Sequence, residues 1–172
     1  MANPKIAVIL GSDSDLPTME EGLKVLKDFK MAFELSIMSA HRSPSLVHEF
    51  AKSAEKNGVK VIIAAAGGAA HLAGVIASMT RLPVIGVPMQ TSSFNGMDSL
   101  FSTVQMPYGV PVATMAIGKP GARNASIFAM QILGLTDKAV ARKLDAFKKK
   151  LEADIIAKNK KLNYSSAYKF LA

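Results

Sequence analysis

Short apolar runs alternate with amphipathic segments along most of the chain. Ile6–Leu10 is apolar at all five positions, which is typical of a strand covered on both faces of a sheet. Leu16–Phe29 has apolar residues at helical spacing, with Pro17 in its first turn. The same alternation predicts four further strands, at Phe33–Met38, Val59–Ala65, Val84–Val87 and Val112–Ile117.

The segments between these strands predict helices. Ser43-Pro44 has the residues of a helix start, and Gly58 is placed to end that helix. Ala69–Thr80 contains no charged residue, which suits a helix buried in an interface. Further helices are predicted at Ser99–Val104, Ala122–Leu133 and Asp137–Lys161. The alternation predicts an α/β fold: a three-layer αβα sandwich with a five-stranded parallel sheet, right-handed crossovers and a C-terminal helix.

The positive charge is concentrated at the C-terminal end of the 172-residue chain, whose formal net charge is +8. Residues 1–137 carry 11 Lys/Arg and 10 Asp/Glu, whereas residues 138–172 carry 10 and 3. A basic tail can bind RNA or acidic surfaces, but three of the four aromatic residues in this segment come only near its end. We therefore expect a solvated helix and tail at 138–172, in one structural unit with a domain at 1–137, and no nucleic-acid partner.

Composition also excludes several classes of site and location. The chain has no cysteine, which excludes disulfides and thiolate metal ligands, and its three histidines lack the spacing of a helical metal pair. The start of the chain lacks the pattern of a signal peptide. The apolar runs are shorter than the roughly 18 residues of a membrane span. The sequence predicts a cytoplasmic protein with no metal and no membrane partner.

One long segment is almost free of charge. Between Val61 and Thr136 the charged side chains are Arg81, Asp98, Lys119 and Arg123. Because the surface of a lone domain is normally rich in charge, much of this segment is expected to lie between subunits. The sequence predicts an obligate homo-oligomer with an apolar interface.

Polar residues follow the first strand, where an α/β sheet binds its ligands. Gly11-Ser12-Asp13-Ser14-Asp15 offers hydroxyl and backbone N–H groups at the start of a helix, an arrangement that suits a phosphate. Since carboxylates do not suit phosphate, Asp15 is predicted to accept hydrogen bonds from ribose hydroxyls. The alternative is an ordinary helix cap and turn without a ligand.

The loops after the second and third strands each contain a histidine. Ser39-Ala40-His41-Arg42 combines a side chain that titrates near neutral pH with one that can clamp a phosphate. Gly67-Gly68-Ala69-Ala70-His71 is small enough for a flat ligand to approach its backbone. His48 falls inside the second helix and is predicted to be structural. A purely structural role for His41 and His71 stays open at this point.

The chain lacks the residues that other functions of this architecture require. The end of the third strand has alanines where a response regulator has its acceptor aspartate, and the chain has no tryptophan to stack on a flavin. The first loop lacks the glycine pattern of dinucleotide binding.

Taken together and in order, the loops resemble the bacterial N5-carboxyaminoimidazole ribonucleotide mutases, class I of the AIR carboxylase family. The resemblance covers roughly residues 6–137. Its motifs are Gly11-Ser12-x-Ser14-Asp15, Ser39-Ala40-His41-Arg42-x-Pro44, Gly67-Gly68-Ala69-Ala70-His71-Leu72, Pro83-Val84-x-Gly86-Val87-Pro88, Asp98-Ser99-Leu100, Val104-Gln105-Met106-Pro107, and Ala116-Ile117-Gly118 with Gly121-Ala122-x-Asn124-Ala125 behind it.

The resemblance implies a flavodoxin-like subunit in an octamer that works without a metal or cofactor. The implied reaction moves the carboxylate of N5-carboxyaminoimidazole ribonucleotide from the exocyclic nitrogen to ring carbon C4. It assigns general acid–base catalysis to His41 and substrate binding to Ser12, Asp15 and Arg42. With the residues singled out above, the predicted substrate-binding set is Ser12, Ser14, Asp15, Ser39, Arg42, Gly67, Gly68, Ala69 and His71. The chain departs from the family pattern at Ala73 and in the loop at 91–95.

Two alternatives compete with this prediction. The nearer one is the related carboxylase, which takes free CO2 and aminoimidazole ribonucleotide to the same product. The more distant one is a nucleotide-binding protein without catalytic activity, which predicts that His41 can be replaced without consequence.

Overall fold

The first strand, β1 (Ile6–Leu10), is fully buried because it pairs on both sides and is covered on both faces. The computed structural model describes residues 5–162. The other strands are β2 (Phe33–Ile37), β3 (Val61–Ala66), β4 (Val84–Pro88) and β5 (Ala113–Thr114). All five strands are parallel, and their order in the sheet is β2-β1-β3-β4-β5.

Side chains of β1 alternate between two apolar layers. The helices are α1 (Leu16–Asp28), α2 (Pro44–Ser53), α3 (Leu72–Ala77), α4 (Met97–Val104), α5 (Lys119–Gly134) and α6 (Lys138–Lys161), with a short 3-10 helix at Asp13–Asp15. Ile6, Val8 and Leu10 pack in the cluster that contains residues of α1, α5 and α6, whereas Ala7 and Ile9 pack with residues of α2 and α3. The predicted αβα sandwich with a five-stranded parallel sheet is confirmed.

Helices α1 and α5 lie close together because α1 has a glycine at the crossing. A Cβ built on Gly22 would lie 2.4 Å from the carbonyl oxygen of Ala122, too near for any side chain. The hydroxyl of Ser126, a buried residue of α5, donates to the Gly22 carbonyl oxygen at 2.9 Å. This contact fixes the layer on the side of the sheet away from α2 and α3.

Three elements are much shorter than predicted. The α2 helix ends at Ser53 rather than Gly58, and α3 covers Leu72–Ala77 rather than Ala69–Thr80. Ala70 has a φ of 37°, which is incompatible with a continuous helix through that residue. The last strand is reduced to Ala113–Thr114, and it pairs with β4 alone.

The C-terminal helix packs on the domain through its first half. Val140 and Leu144 are buried in the same cluster as α1 and α5, whereas residues 151–162 are all exposed. The predicted tail at 163–172 lies outside the described residues, so the division into 1–137 and 138–172 stays a prediction. None of the helices within 5–162 combines the length and apolarity that crossing a bilayer requires.

Candidate active site

A cavity of about 400 Å³ opens at the carboxyl edge of the sheet, within the size range of small-molecule sites. The loops after β1, β2, β3 and β4 form its walls. Eight of the predicted site residues line it: Ser12, Ser14, Asp15, Ser39, His41, Arg42, Gly67 and His71.

Gly68 and Ala69, the other two predicted site residues, are not among those that line the cavity. The chain turns here, with the Ala70 N–H donating to the Gly67 carbonyl oxygen at 3.2 Å. This turn leaves Ala69 exposed and makes Ala70 part of the cavity wall. A substrate-binding role for Gly68 and Ala69 therefore stays a prediction without support from the lining.

Sequence reasoning missed the wall that follows β4. Met89, Gln90 and Thr91 line the cavity directly after that strand. The rule that ligands bind beyond the carboxyl ends of strands applies to β4 as well as to the first three strands. That rule could have found these residues, although the segment has no charged side chain to attract attention.

The two histidines of the cavity contact each other. His41 Nε2 lies 2.8 Å from His71 Nδ1, and the rings meet edge to face with centroids 4.9 Å apart. A neutral imidazole has one N–H donor and one nitrogen acceptor, so this contact is a hydrogen bond when the facing nitrogen of one ring carries the proton and that of the other does not. The contact leaves Nδ1 of His41 and Nε2 of His71 as the ring nitrogens not used between them. It also ties the tautomer of each ring to that of its neighbour.

Arg42 joins the loops after β1 and β2. Its Nη2 donates to the Gly11 carbonyl oxygen at 3.1 Å, and its Nε contacts the Ser39 hydroxyl at 3.4 Å. The exposed guanidinium also borders a second cavity of about 300 Å³, which shares Ser12 with the first. A planar group with five N–H donors, held at the rim in this way, suits an anion with several oxygens.

The first loop forms a reciprocal helix cap. The Ser12 hydroxyl accepts from the Ser14 N–H at 3.4 Å, and a carboxylate oxygen of Asp15 accepts from the Ser12 N–H at 3.1 Å. Local capping therefore accounts for part of this loop's sequence. The hydroxyl groups of Ser12 and Ser14, 3.0 Å apart, still line the cavity, so the anion role stays a prediction.

Burial raises the pKa of the Asp15 carboxyl above its usual range. Asp15 is only 8% exposed, and the hydrogen bond from the Ser12 N–H opposes this rise while the nearby Asp13 carboxylate adds to it. The pKa of the exposed Asp13 is lowered instead, chiefly by a hydrogen bond from the Ser12 hydroxyl. The surroundings of these two neighbouring carboxyl groups therefore shift their pKa values in opposite directions.

Within residues 5–162, no three His, Asp or Glu side chains cluster in a way that could hold a metal ion. The polar side chains that line the cavity are two histidines, one arginine, one buried carboxylate, the Gln90 amide and several hydroxyl groups. Such a set can bind a phosphorylated sugar and move a proton.

The profile of the AIR carboxylase family matches residues 5–154. The chain belongs to this family. The N5-carboxyaminoimidazole ribonucleotide mutase of Thermotoga maritima is 52% identical over 159 residues, which cover 92% of both chains. The phosphoribosylaminoimidazole carboxylase of Saccharomyces cerevisiae is 51% identical over 162 residues, which cover 94% of this chain but 28% of the yeast protein.

A solved structure confirms the architecture. The crystal structure of Treponema denticola PurE has a TM-score of 0.85 at 28% identity, covering 94% of this chain and 99% of its own. The predicted family and the flavodoxin-like fold are both confirmed.

We predict that Asp15→Asn stabilises the protein at neutral pH while weakening substrate binding about tenfold. Because the pKa of Asp15 is raised in the folded state, the folded protein binds that proton more tightly than the unfolded chain does. Wild-type stability therefore falls as the pH rises from 3.8 through the raised value. The amide of the variant avoids this loss and can still accept the Ser12 N–H. The Tm by scanning calorimetry should exceed that of the wild type at pH 7, with the gap closing below pH 3.8.

Asp13→Asn is the matched control with the opposite sign. The lowered pKa of Asp13 contributes stability that is present above 3.8 and is lost as the pH falls through the lowered value. Asp13→Asn should therefore have a lower Tm than the wild type at pH 7. A lower Tm at pH 7 for Asp15→Asn would show that the charge of Asp15 stabilises the fold.

Proposed function

We propose that the chain converts N5-carboxyaminoimidazole ribonucleotide to 4-carboxy-5-aminoimidazole ribonucleotide in de novo purine biosynthesis. The observation that carries the proposal is the cavity containing His41 and Arg42, in a chain 52% identical to a mutase of that name over 92% of its length. The substrate is a small ribonucleotide. The absence of a cofactor, the absence of a nucleic-acid partner and the cytoplasmic location stay predictions.

Substrate binding is assigned to the rim of the cavity. Arg42 and the hydroxyl groups of Ser12 and Ser14 would bind the phosphate, since Arg42 and Ser12 present donors to both cavities and Ser14 adds one in the larger cavity. Asp15 would accept hydrogen bonds from the ribose hydroxyls. Ser39, which contacts Arg42, would hold the guanidinium in place. With the phosphate and ribose held in this way, the aminoimidazole ring of the substrate would lie against the wall formed by Gly67 and His71.

The proposed chemistry is an exchange of one bond and one proton. The carbamate C–N bond breaks and releases CO2, and the exocyclic nitrogen takes a proton from His41. C4 then attacks the retained CO2, and its hydrogen returns to His41 as a proton, so the reaction has no net proton change. Proximity in a cavity of about 400 Å³ would keep the CO2 near C4. The contact with His71 supports a single orientation of the His41 ring through both transfers.

Replacing His41 by Asn should abolish turnover while substrate binding and assembly persist. Loss of a proton shuttle lowers kcat by about 10²–10⁴-fold, and more where no step can proceed without it. Single-turnover kinetics on the carbamate and calorimetric binding of the product would measure the two properties. His48→Asn, an exposed histidine of α2 outside the cavity, is the control and should keep wild-type kcat.

Two results of that experiment would change the proposal. Near-normal turnover in His41→Asn would remove this residue from the mechanism, and no turnover in the wild type would favour a nucleotide-binding protein. The name of the yeast relative favours the carboxylase as second candidate. Wild-type rates on the carbamate, compared with rates on aminoimidazole ribonucleotide plus bicarbonate, separate the mutase from the carboxylase.

Arg42→Ala should raise KM by about 10-fold or more with a smaller effect on kcat, because a bidentate phosphate contact is lost far from the reacting carbon. Steady-state kinetics on the carbamate measure the split. Arg81→Ala is the control, since Arg81 pairs with Glu55 outside the cavity. An unchanged KM in Arg42→Ala would argue against the phosphate role.

The proposed assembly is a homo-octamer, a number that rests on the family resemblance. An exposed apolar stripe supports packing between copies: Met97, Phe101 and Val104 share one face of α4, and Phe94 and Tyr108 are exposed in the turns before and after that helix. The stripe lies within the nearly uncharged segment 61–136, which suits a second copy of the same surface more than a charged partner.

Phe101→Asp should dissociate the assembly, because it puts a charge in the middle of this stripe. Sedimentation velocity would measure the mass of the particles. Leu135→Asp, another exposed apolar residue but outside the stripe, is expected to assemble as the wild type does. A monomeric wild type, or a Phe101→Asp variant of unchanged mass, would contradict the proposed interface.

A further inference from the structure

The glycine turn, residues Gly67–Ala70, is attached to a helix that lies outside the cavity. The Ser99 hydroxyl of α4 accepts a hydrogen bond from the Gly68 N–H at 2.9 Å. Ser99 is completely buried, and it is not among the residues that line the cavity. Ser102 contacts the Gly68 carbonyl oxygen at 3.4 Å, but its shorter bond, at 2.8 Å, goes to the Asp98 carbonyl oxygen. Ser99 therefore makes the stronger attachment of the turn.

The turn needs such an attachment because its backbone is strained at Ala70. Gly68 has a φ of 65°, and Ala70, which has a side chain, has a φ of 37°. Left-handed alanine persists where the surrounding structure imposes it. The structure is open around Gly68, since a Cβ built there would meet nothing within 4 Å. The hydrogen bond that the Gly68 N–H donates to the Ser99 hydroxyl is therefore a restraint that packing does not replace.

The conformation of the turn determines where His71 lies. The Ala70 N–H closes the turn on the Gly67 carbonyl oxygen, and His71 is the next residue. Gly67, Ala70 and His71 all line the cavity, and His71 lies in hydrogen-bonding distance of His41. A continuous series of contacts thus leads from Ser99 through Gly68 and the turn to the two histidines.

Ser99 is itself firmly placed. Its carbonyl oxygen accepts from the buried Thr103 hydroxyl at 2.7 Å. One residue earlier, the Asp98 carboxylate accepts from the Thr91 hydroxyl at 2.8 Å, which fastens the start of α4 to the wall after β4. Because the backbone of Ser99 is held in this way, its hydroxyl can hold the Gly68 N–H, and with it the turn, in one position.

We propose that Ser99 is a positioning residue for the proposed reaction. Its hydroxyl holds the Gly67–Ala70 turn so that His71 stays in contact with His41 and Gly67 faces the migrating carboxylate. Ser99 touches neither substrate nor reacting atoms in this account. The inference rests on the proposed function, because the reaction is what gives the position of His71 its consequence.

Ser99→Ala should lower kcat about 10- to 100-fold, the range that follows a misplacement of about 1 Å in an active site. KM should change less than about threefold, because the groups assigned to the phosphate and ribose lie on other loops. Crystals of the variant should have a longer His41–His71 distance than the 2.8 Å of the wild type. Ser99→Cys, which keeps a weak acceptor, should give an intermediate kcat and guards against a variant that fails to fold.

Ser126→Ala is the matched control. Ser126 is also a buried helical serine bonded to a glycine backbone, but its contact with Gly22 lies between α1 and α5. Both alanine variants lose a buried hydrogen bond and should have similarly lowered Tm, whereas only Ser99→Ala should lose kcat. Equal kcat in the two variants, or an unchanged His41–His71 distance in Ser99→Ala, would overturn the positioning role. Absence of turnover in the wild type would instead refute the proposed function, and the distance would still test Ser99.

Discussion

Parallel pairing of β1 with its neighbours β2 and β3 is the constraint on which the site depends. Leu10 of β1 is level with Ile37 of β2 and Ala65 of β3, so all three strands end at one edge. The ladder continues past those ends, since the Gly11 N–H donates to the Ala65 carbonyl oxygen at 2.8 Å. Three loops that are some thirty residues apart in sequence therefore start side by side. A slip of one residue in this register would turn the loops away from each other.

The site is built at some cost to the fold that holds it. A carboxylate whose pKa is raised by burial is less favourable in the folded protein than in water. An alanine with positive φ, at Ala70, is strained for the same reason that helices are right-handed. Both features border the cavity, whereas β1 and β4 beneath it are apolar and buried along their whole length. Unfavourable residues beside a well-packed apolar core are expected where function, and not stability, determines which residue is present.

The sequence could predict what local pattern decides and missed what distant contacts decide. Strand β1 and helix α1 were predictable because an apolar run and a helical spacing are complete within each segment. The start of α3 was not, because the left-handed Ala70 before it belongs to a turn bonded to Ser99, 31 residues from Gly68 in sequence. In the site, His41 and Arg42 were identifiable by their chemistry. Met89–Thr91 carries no charge, and its place in the wall follows from β4 alone.

Helix α4 connects the two surfaces on which the proposed function depends. Met97, Phe101 and Val104 lie on its exposed side, while Ser99 and Thr103 face the turn and the sheet. An eight-residue helix is too short to be stable by itself, so its position depends on what packs against it. The body of the subunit supports one side, and a neighbouring copy on the apolar stripe would support the other. The same contact that buries Phe101 would then also steady the serine that holds the glycine turn, which is a physical reason for an enzyme of this kind to work as an assembly.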